Sequence, residues 1–557
     1  MPPRSTLRVL KGSRRVHREG SRVVGRANPH DWVEVTLKLR RAAPLPEPKP
    51  RGPPSLTRAV LGAKYGAKPA DVALVASTLS KLGVRVLSTH PASRRMRIAG
   101  PVSTMEQVFG VHLLHVVHEG RSYRGRVGDI HLPRSLAGVV VGVFGLDSRP
   151  MVRRRHAIKA SHKDVPAPDA RPWFLPQELA AAYSFPDGDG SGLTIGLIEL
   201  GGQVIDSDLE AFAKAAKLSK VATVISKEAE PRTSDSIDDQ DSTGEVMLDV
   251  EVLAALCPAA TIVAYFANFT EQGWVNAVDT AIHDTAHSLS VLSVSWGLAE
   301  GEDIWTAQAM STVNDSLKEA ATLGIPVCIA AGDDGSSDQV TDGRAYVDFP
   351  SSSPYALCVG GTTLQKSSGA NIETVWKDGD GLRADGGGST GGGVSSVFAR
   401  PDWQKAIDIA SVNPGAIAGR CVPDVAANAA ASTGYYMVAN GSEGICGGTS
   451  AAAPLWAGLL ARLNAQLDAS KRVNYLTPLL YAPGSTNGQP LGTIGCRDIT
   501  QGNNETAAAG GYSAGPGYDA ASGWGSPHGN ALLQGLEGAS GPTLRTPKRK
   551  RRAPTRR

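Results

Sequence analysis

Cysteine is scarce in this 557-residue sequence, and the six present (Cys257, Cys328, Cys358, Cys421, Cys446 and Cys496) form no C-x-x-C pair and have no histidine at zinc-site spacing. That pattern argues against a zinc module. Most of the six read as buried small hydrophobes, with a disulfide left open among Cys421, Cys446 and Cys496, which sit in polar or glycine-rich surroundings. Long apolar runs are also missing. Nothing reaches the roughly 18 continuous apolar residues of a membrane span. The opening MPPRSTLRVLKGSRR carries charge but lacks the apolar stretch of a secretory signal. The chain therefore reads as soluble, with no visible export route. Histidine is sparse beyond residue 170, where only His283, His287 and His528 occur.

What the sequence does contain is length, glycine and segregated charge. At 557 residues, at least two domains are expected, and 63 glycines indicate a globular chain rich in loops and tight turns. The net charge of +4 hides opposed blocks: residues 1–170 carry 31 Lys+Arg against 11 Asp+Glu, residues 171–540 carry 18 against 42, and the tail 541–557 carries 8 against none. A basic N-terminal part beside an acidic body makes the body its natural partner, with nucleic acid as the competing reading.

Residues 1–30 read as a basic arm. The strand-like DWVEVTLKLR follows, then a Pro-rich stretch through Pro54. ADVALVASTLSKLG has a helical period, VRVLSTH and RRMRIAG read as strands, STMEQVFG as a helix capped by Ser103, and LLHVVHEG with GRSYRGRVGD as a hairpin. Strands and helices alternating over about 100 residues suggest a small α/β sandwich. Residues 149–170, rich in Pro and charge, read as an exposed linker. From Leu193 the apolar runs LTIGLIEL, ATIVAYFA, LSVLSVSWG, GIPVCIAAG and ALCVGG alternate with helical segments, the signature of a parallel sheet covered on both faces. Chemistry in such folds lies at the carboxyl ends of the strands, where Glu199, Ser295, Trp296 and Asp333 stand.

The chemistry-bearing motif is Gly447-Gly448-Thr449-Ser450-Ala451-Ala452-Ala453-Pro454 before the apolar run LWAGLLARLN. Small neighbours let a substrate approach Ser450, and a helix N-terminus favours a developing negative charge; a plain N-cap serine is the alternative. A serine nucleophile needs a base, and no HGTH-like segment supplies a histidine. GEVMLDVEV, opening a helix behind the acidic loop SIDDQDST, places Glu245 and Asp249 four apart on one helical face. Two such carboxylates repel, share a proton in mild acid and can act as a general base; a solvated acidic face is the ordinary alternative. In IAAGDDG, a protonated Asp333 could donate to an oxyanion, and an Asx turn is the competing role.

Together GEVMLDVEV, SVSWG, AAGDDGSSD and GGTSAAAP resemble the sedolisins, the serine-carboxyl peptidases, with similarity extending through IELGG, VDFPSSSPY, GGGSTGGGVS, RCVPDVAANA and GPGYDAASGWGSP. The resemblance implies an α/β fold with a subtilisin-like parallel sheet, preceded by a ferredoxin-like activation domain over 31–148, a processing linker over 149–170 and a catalytic domain over 171–540. It implies Ser450 as nucleophile, Glu245 as base, Asp249 as its orienting partner and Asp333 in the oxyanion hole. Glu199 and Trp296 extend the network behind the base, and Asp348 lines the substrate cleft, where a preference for a basic residue before the scissile bond is expected. One calcium ion is implied at Asp498, Ile499, Gly515, Gly517 and Asp519, a set of carboxylates and exposed backbone carbonyls that suits this hard cation. Asp334 stands where a serine is more familiar, which bears on the local charge.

The implied product is a secreted, monomeric, acid-acting endopeptidase on protein or peptide substrates, made as a self-processing zymogen and inhibited by its own propeptide. A tripeptidyl-type exopeptidase and a non-catalytic binding protein are the alternatives. The charge segregation adds that the basic domain should hold the body while its carboxylates are ionised and loosen in acid. The tail RTPKRKRRAPTRR reads as a disordered, solvated end, with an anionic-surface anchor as the competing role.

Overall fold

The computed structural model describes residues 7–151, 171–301, 304–367, 371–383, 387–482 and 488–538. Most of the expected linker and the whole basic tail lie outside these ranges.

The N-terminal domain is built from β1 (Trp32–Leu39), α1 (Pro69–Lys81), β2 (Arg85–His90), β3 (Arg95–Pro101), α2 (Val102–Phe109) and β4 (Val140–Phe144). Its sheet runs β2-β3-β1-β4 with every pair antiparallel, the βαββαβ ferredoxin-like arrangement. The expected cap of α2 shifts: Pro101 occupies the N-cap position and Ser103 lies inside the first turn. The separate basic arm expected over 1–30 does not stand apart. Leu7–Val9 pairs with His131–Pro133, and Arg22–Arg26 pairs with Leu114–His118, itself one arm of the hairpin with Arg121–Gly125. The many arginines there disguise strands in which little side chain is buried, so apolar alternation had little to show.

The body is an eight-stranded sheet. Its strands are β5 (Thr194–Leu200), β6 (Thr223–Glu228), β7 (Thr261–Ala267), β8 (Val291–Val294), β9 (Val327–Ala330), β10 (Leu357–Gln365), β11 (Ile372–Val375) and β12 (Val425–Asn428). The order is β6-β7-β5-β8-β9-β10-β11, with β12 also on β10; all pairs are parallel except β10 with β11. Period-two alternation sends Ile195 and Leu197 to one face and Ile198 and Leu200 to the other. The first face is covered by α3 (Gln240–Leu256) and α6 (Thr449–Gln466), the second by α4 (Glu271–Ile282) and α5 (Ala307–Leu323). All six cysteines are buried and free, so the disulfide left open above does not form. Burial pushes the Cys257 thiol up to about 11, in keeping with small apolar fillers.

The two domains meet through the sheet of the first and the helices α4 and α5 of the second. Along β1, Val33, Val35, Leu37 and Leu39 point into the domain's own core, while Thr36 and Lys38 on the opposite face are equally buried. The body covers that polar face: the Thr36 hydroxyl donates to Asn276 Oδ1 at 3.1 Å and Lys38 pairs with Asp279. Around this pair lie Arg15 with Glu271 (3.1 Å), Arg41 and Arg94 with Asp315 (2.8 and 2.7 Å), and Arg41 with Glu319. The charge blocks of the sequence thus resolve into specific ion pairs. The Pro-rich stretch continues as a strap on the body, where Gly52 N donates to Arg472 O at 2.8 Å and Leu56 N to Thr322 O at 3.0 Å.

Burial would raise the Asp279 and Glu319 carboxyls. For Asp279 the charges of Lys38 and Arg95 outweigh it, and for Glu319 the His283 hydrogen bond and the Arg41 charge do, so both are held below the usual carboxylate range. A carboxylate depressed by docking strengthens docking above its free value and surrenders that contribution as pH falls through the depressed one. Affinity of the isolated first domain for a Ser450→Ala body, measured by calorimetry, is therefore expected to stay level from pH 7 to about pH 5 and to fall below about pH 4.5, where free carboxylates protonate. Asp279→Asn should flatten that fall; an affinity independent of pH down to pH 3 would refute the electrostatic account.

Candidate active site

Helix α3 begins earlier than its motif suggests. Its N-cap is Asp239, whose side chain accepts from Ser242 N at 2.9 Å, so the acidic stretch itself supplies the cap and first turn. Glu245 and Asp249 consequently fall in the helix interior, and both are fully buried. That excludes a solvated acidic face. The cost of burying two carboxylates points to a reason beyond solubility.

Helix α6 packs against α3 and starts at Thr449, so Ser450 lies in its first turn. Pro454 has no N–H to give to the carbonyl four residues back, which frees Ser450 O from the helix ladder. Ser295, just past β8, fills that gap. Its Oγ lies 3.0 Å from Ser450 O and 2.7 Å from Asp249 Oδ1, while the Ser450 hydroxyl donates to Ser295 O at 3.4 Å. The Ser295 hydroxyl thus stands between a carboxylate of α3 and the backbone carbonyl of the serine on α6, within hydrogen-bond distance of each.

A second clamp joins α6 to the end of β9. Thr449 N and Thr449 Oγ1 donate to Asp333 Oδ1 at 2.8 and 2.7 Å, and Gly332 N donates to Thr449 Oγ1 at 3.1 Å. Gly448 has φ +114°, and a Cβ there would sit 2.7 Å from Asp333 Oδ2, so glycine is needed for both conformation and space. Ser295, Gly297, Ala330, Gly332, Asp333, Asp348, Arg383, Thr449 and Ser450 line one cleft at the carboxyl end of the sheet.

The remaining expected residues group as follows. Trp296 Nε1 donates to Glu199 Oε2 at 3.0 Å, both buried at strand ends. Asp348 is buried in the cleft wall, so close to Gly297 that a Cβ there would overlap its carboxylate. Asp334 turns away from the cleft: it accepts from Arg383 N (2.9 Å), Arg383 Nε (2.9 Å) and Gln339 Nε2 (2.7 Å). Far from the cleft motifs in sequence, Asp498 Oδ2 accepts from Gly517 N at 2.8 Å and Asp519 Oδ2 from Gly515 N at 3.2 Å, so both acids clasp one glycine loop, with Ile499 packed beneath. Burial raises the Asp519 carboxyl. Among the described residues no three His, Cys, Asp or Glu side chains gather to hold a metal, so a cation site here needs backbone carbonyls as well.

The fold and this cleft have counterparts. Residues 47–149 match the model for the pro-kumamolisin activation domain, and residues 222–508 match the subtilase family. Kumamolisin from Bacillus sp. (strain MN-32) is 41% identical over 526 residues, covering 92% of this chain and 91% of that protein. This chain belongs to the sedolisin–kumamolisin family of serine-carboxyl peptidases. Tripeptidyl-peptidase sed5 of Aspergillus fumigatus is 28% identical, covering 95% of this chain and 97% of its own. The solved structure of Pseudomonas sedolisin, complexed with two molecules of pseudo-iodotyrostatin, matches at TM-score 0.56 and 29% identity, covering 65% of this chain and 97% of that one. As a member of that family, the chain is a serine-type peptidase whose N-terminal domain is an activation propeptide. The propeptide model begins at residue 47, whereas the folded domain already includes strands from Leu7.

Three participants were not assigned roles from sequence. Ser295 stood out only as a polar strand end, and the signal that it caps a freed carbonyl is the spacing of Pro454 from Ser450. Thr449 passed as a small neighbour. Arg383 lies just before GGGSTGGGVS, and nothing in the sequence connects it to Asp333.

Proposed function

We propose that the chain is an acid-acting endopeptidase in which Ser450 attacks the peptide carbonyl, Glu245 is the base, Asp249 orients it and Asp333 stabilises the oxyanion. The observation that supports this reading is the pair of contacts that sets the backbone of Ser450 beside Asp249 through Ser295 and its neighbour Thr449 on Asp333, with Glu245 one turn from Asp249 on the same buried helix. Ser450 Oγ bonds to the carbonyl carbon as its proton passes to the ionised Glu245. Asp333, protonated, donates to the oxyanion. As the tetrahedral species collapses, the proton on Glu245 passes to the leaving amine and an acyl-serine remains. Water then repeats the sequence and releases the acid. One carboxyl must be charged while another is neutral, which confines activity to acid pH and gives a bell-shaped profile.

Asp348 supports a preference for Arg or Lys before the scissile bond, because a buried carboxylate in the cleft wall gains from a cationic side chain. The likeness to tripeptidyl-peptidase sed5 favours a second reading, release of tripeptides from a free N-terminus. The Asp498–Asp519 loop suits a calcium ion, held by those two carboxylates and the backbone carbonyls of Ile499, Gly515 and Gly517. When bound, the ion would neutralise a buried carboxylate and fix the loop. Secretion fits an acid-acting zymogen; among the described residues no helix is long and apolar enough to cross a membrane.

Internally quenched peptides and free-N-terminus tripeptide substrates, assayed from pH 3 to 7, separate the readings. Internal cleavage, faster after Arg than after Leu and abolished by Ser450→Ala, is expected; tripeptide release alone, or equal cleavage after both residues, counts against the endopeptidase or the Asp348 assignment respectively. For the ion, added calcium should raise the melting temperature of the Ser450→Ala chain by several degrees and leave Asp519→Asn unmoved; equal shifts in both would exclude this site.

A further inference from the structure

The face of the body that receives the activation domain is acidic, and in this structure cations fill it. Asp279 on α4 and Asp315 and Glu319 on α5 take Lys38, Arg41 and Arg94, and Glu271 at the start of α4 takes Arg15. Among the described residues, the body sets two cations of its own within this cluster: His283, whose Nε2 lies 2.7 Å from Glu319 Oε2, and Lys318, paired at 2.6 Å with Glu47 of the strap. Lys38, Arg41, Arg94 and Arg15 all precede the linker, so they leave with the activation domain once the linker is cut. The carboxylates then lose the partners that were buried with them, a state that favours any replacement of the same charge.

The strap marks a path away from this face. Leu56 N donates to Thr322 O at 3.0 Å, one turn beyond Glu319, and Arg58 Nε donates to Ile282 O at 3.1 Å, one turn beyond Asp279. At the other end Gly52 N donates to Arg472 O at 2.8 Å, and Arg51 Nη1 donates at 3.4 Å to Leu536 O in the last helix, Gly529–Gly538. The chain from Arg51 to Leu56 thus joins the C-terminal end of the body to the edge of the acidic face, a span of at most about 18 Å. The strap also precedes the linker, so this path empties with the face. Residues 541–557, with 8 Lys+Arg and no Asp or Glu, follow that last helix. Fully extended, residues 539–557 reach at most about 65 Å, ample for the path and the face beyond it.

We propose that the acidic face of α4 and α5 is the docking surface for the chain's own basic tail once the activation domain has been cut free. Residues 541–557 follow the path of the strap, set Lys and Arg side chains against Asp279, Asp315 and Glu319, and so compete with the released domain for the body. This rests on the reading of the chain as a zymogen processed in its linker. In the intact chain the domain holds the face, so the cut decides which segment occupies it. Tethering places the tail at an effective concentration on the order of 1 mM, so even a contact with a Kd of about 0.1 mM fills the face nine-tenths of the time and weakens recapture of the domain about tenfold. Lys318, freed from Glu47, opposes the tail and Lys471 stands near its start, while the carboxylates outnumber these cations along the face.

The test uses the Ser450→Ala chain with a site for an unrelated protease placed in the linker, so that both parts fold as one chain and are nicked afterwards at pH 7. Dilution of the nicked chain, with release of the activation domain followed by size-exclusion chromatography, gives the apparent Kd. With the tail present it is expected to be about tenfold higher than in the same chain ending at Ser540 in about 50 mM salt, and the gap should close in about 0.5 M salt. Carbodiimide treatment of the released body should join Lys548 or Lys550 to Asp315 or Glu319, and should not do so before nicking. Equal Kd values for the two chains at low salt, or cross-links only to other acids, would overturn the proposal. So would tail-dependent capture of the released body on anionic vesicles with the two Kd values equal, the outcome expected of a surface anchor. Because an added protease makes the nick, failure of the zymogen reading looks different: the wild-type chain would stay uncut between residues 152 and 170 in acid.

Discussion

The contact on which the cleft depends is the one between the first residue of α6 and the turn after β9. Thr449 gives its backbone N–H to one oxygen of Asp333, and its hydroxyl lies within hydrogen-bond distance of that same oxygen and of both N and O of Gly332. A helix start has N–H groups without intrahelical partners, and a strand end has a turn to stabilise. Satisfying one with the other fixes the height of α6 against the sheet. Ser450, one residue further on, is thereby set at the mouth of the cleft, and the missing N–H of Pro454 lets Ser295 join its backbone to Asp249.

The same economy governs the joint between the domains. The polar face of β1 would be solvated in the isolated domain; in the full chain Lys38 and Asp279 are removed from water together. Burying an ion pair adds little net stability compared with an apolar contact, but separating the partners while either stays buried is costly. Such an interface specifies one docking geometry and responds to protons. Because Asp279 and Glu319 are held below the usual carboxylate range, their contribution to docking is lost progressively, from the pH at which free carboxylates protonate down to that lower range.

Much of this was legible in the sequence. The parallel strands announced themselves because both faces of the sheet are covered, leaving unbroken apolar runs; TVISKE at β6 and VAAN at β12 escaped notice because one is half-exposed and the other short and alanine-rich. Glu245 with Asp249, Asp333 and Ser450 stood out in the sequence because each sits in a local motif. Arg383 and Ser295 were not assigned, since their meaning lies in contacts across 49 and 46 residues of chain that no periodicity encodes. The strands before residue 30 were concealed by arginines whose partners belong to other parts of the chain, such as Glu271 for Arg15.

The central claim is that Ser450 is a nucleophile activated by a carboxylate. It is tested most directly by acid-quenching the processed enzyme during turnover of a slowly deacylating ester and locating the acyl group by mass spectrometry. The account predicts an adduct on the peptide containing Ser450, absent in Ser450→Ala and formed about 100-fold more slowly in Glu245→Gln, the contribution expected of a general base. Acylation at another residue, or acylation of Ser450 at an undiminished rate in Glu245→Gln, would contradict it.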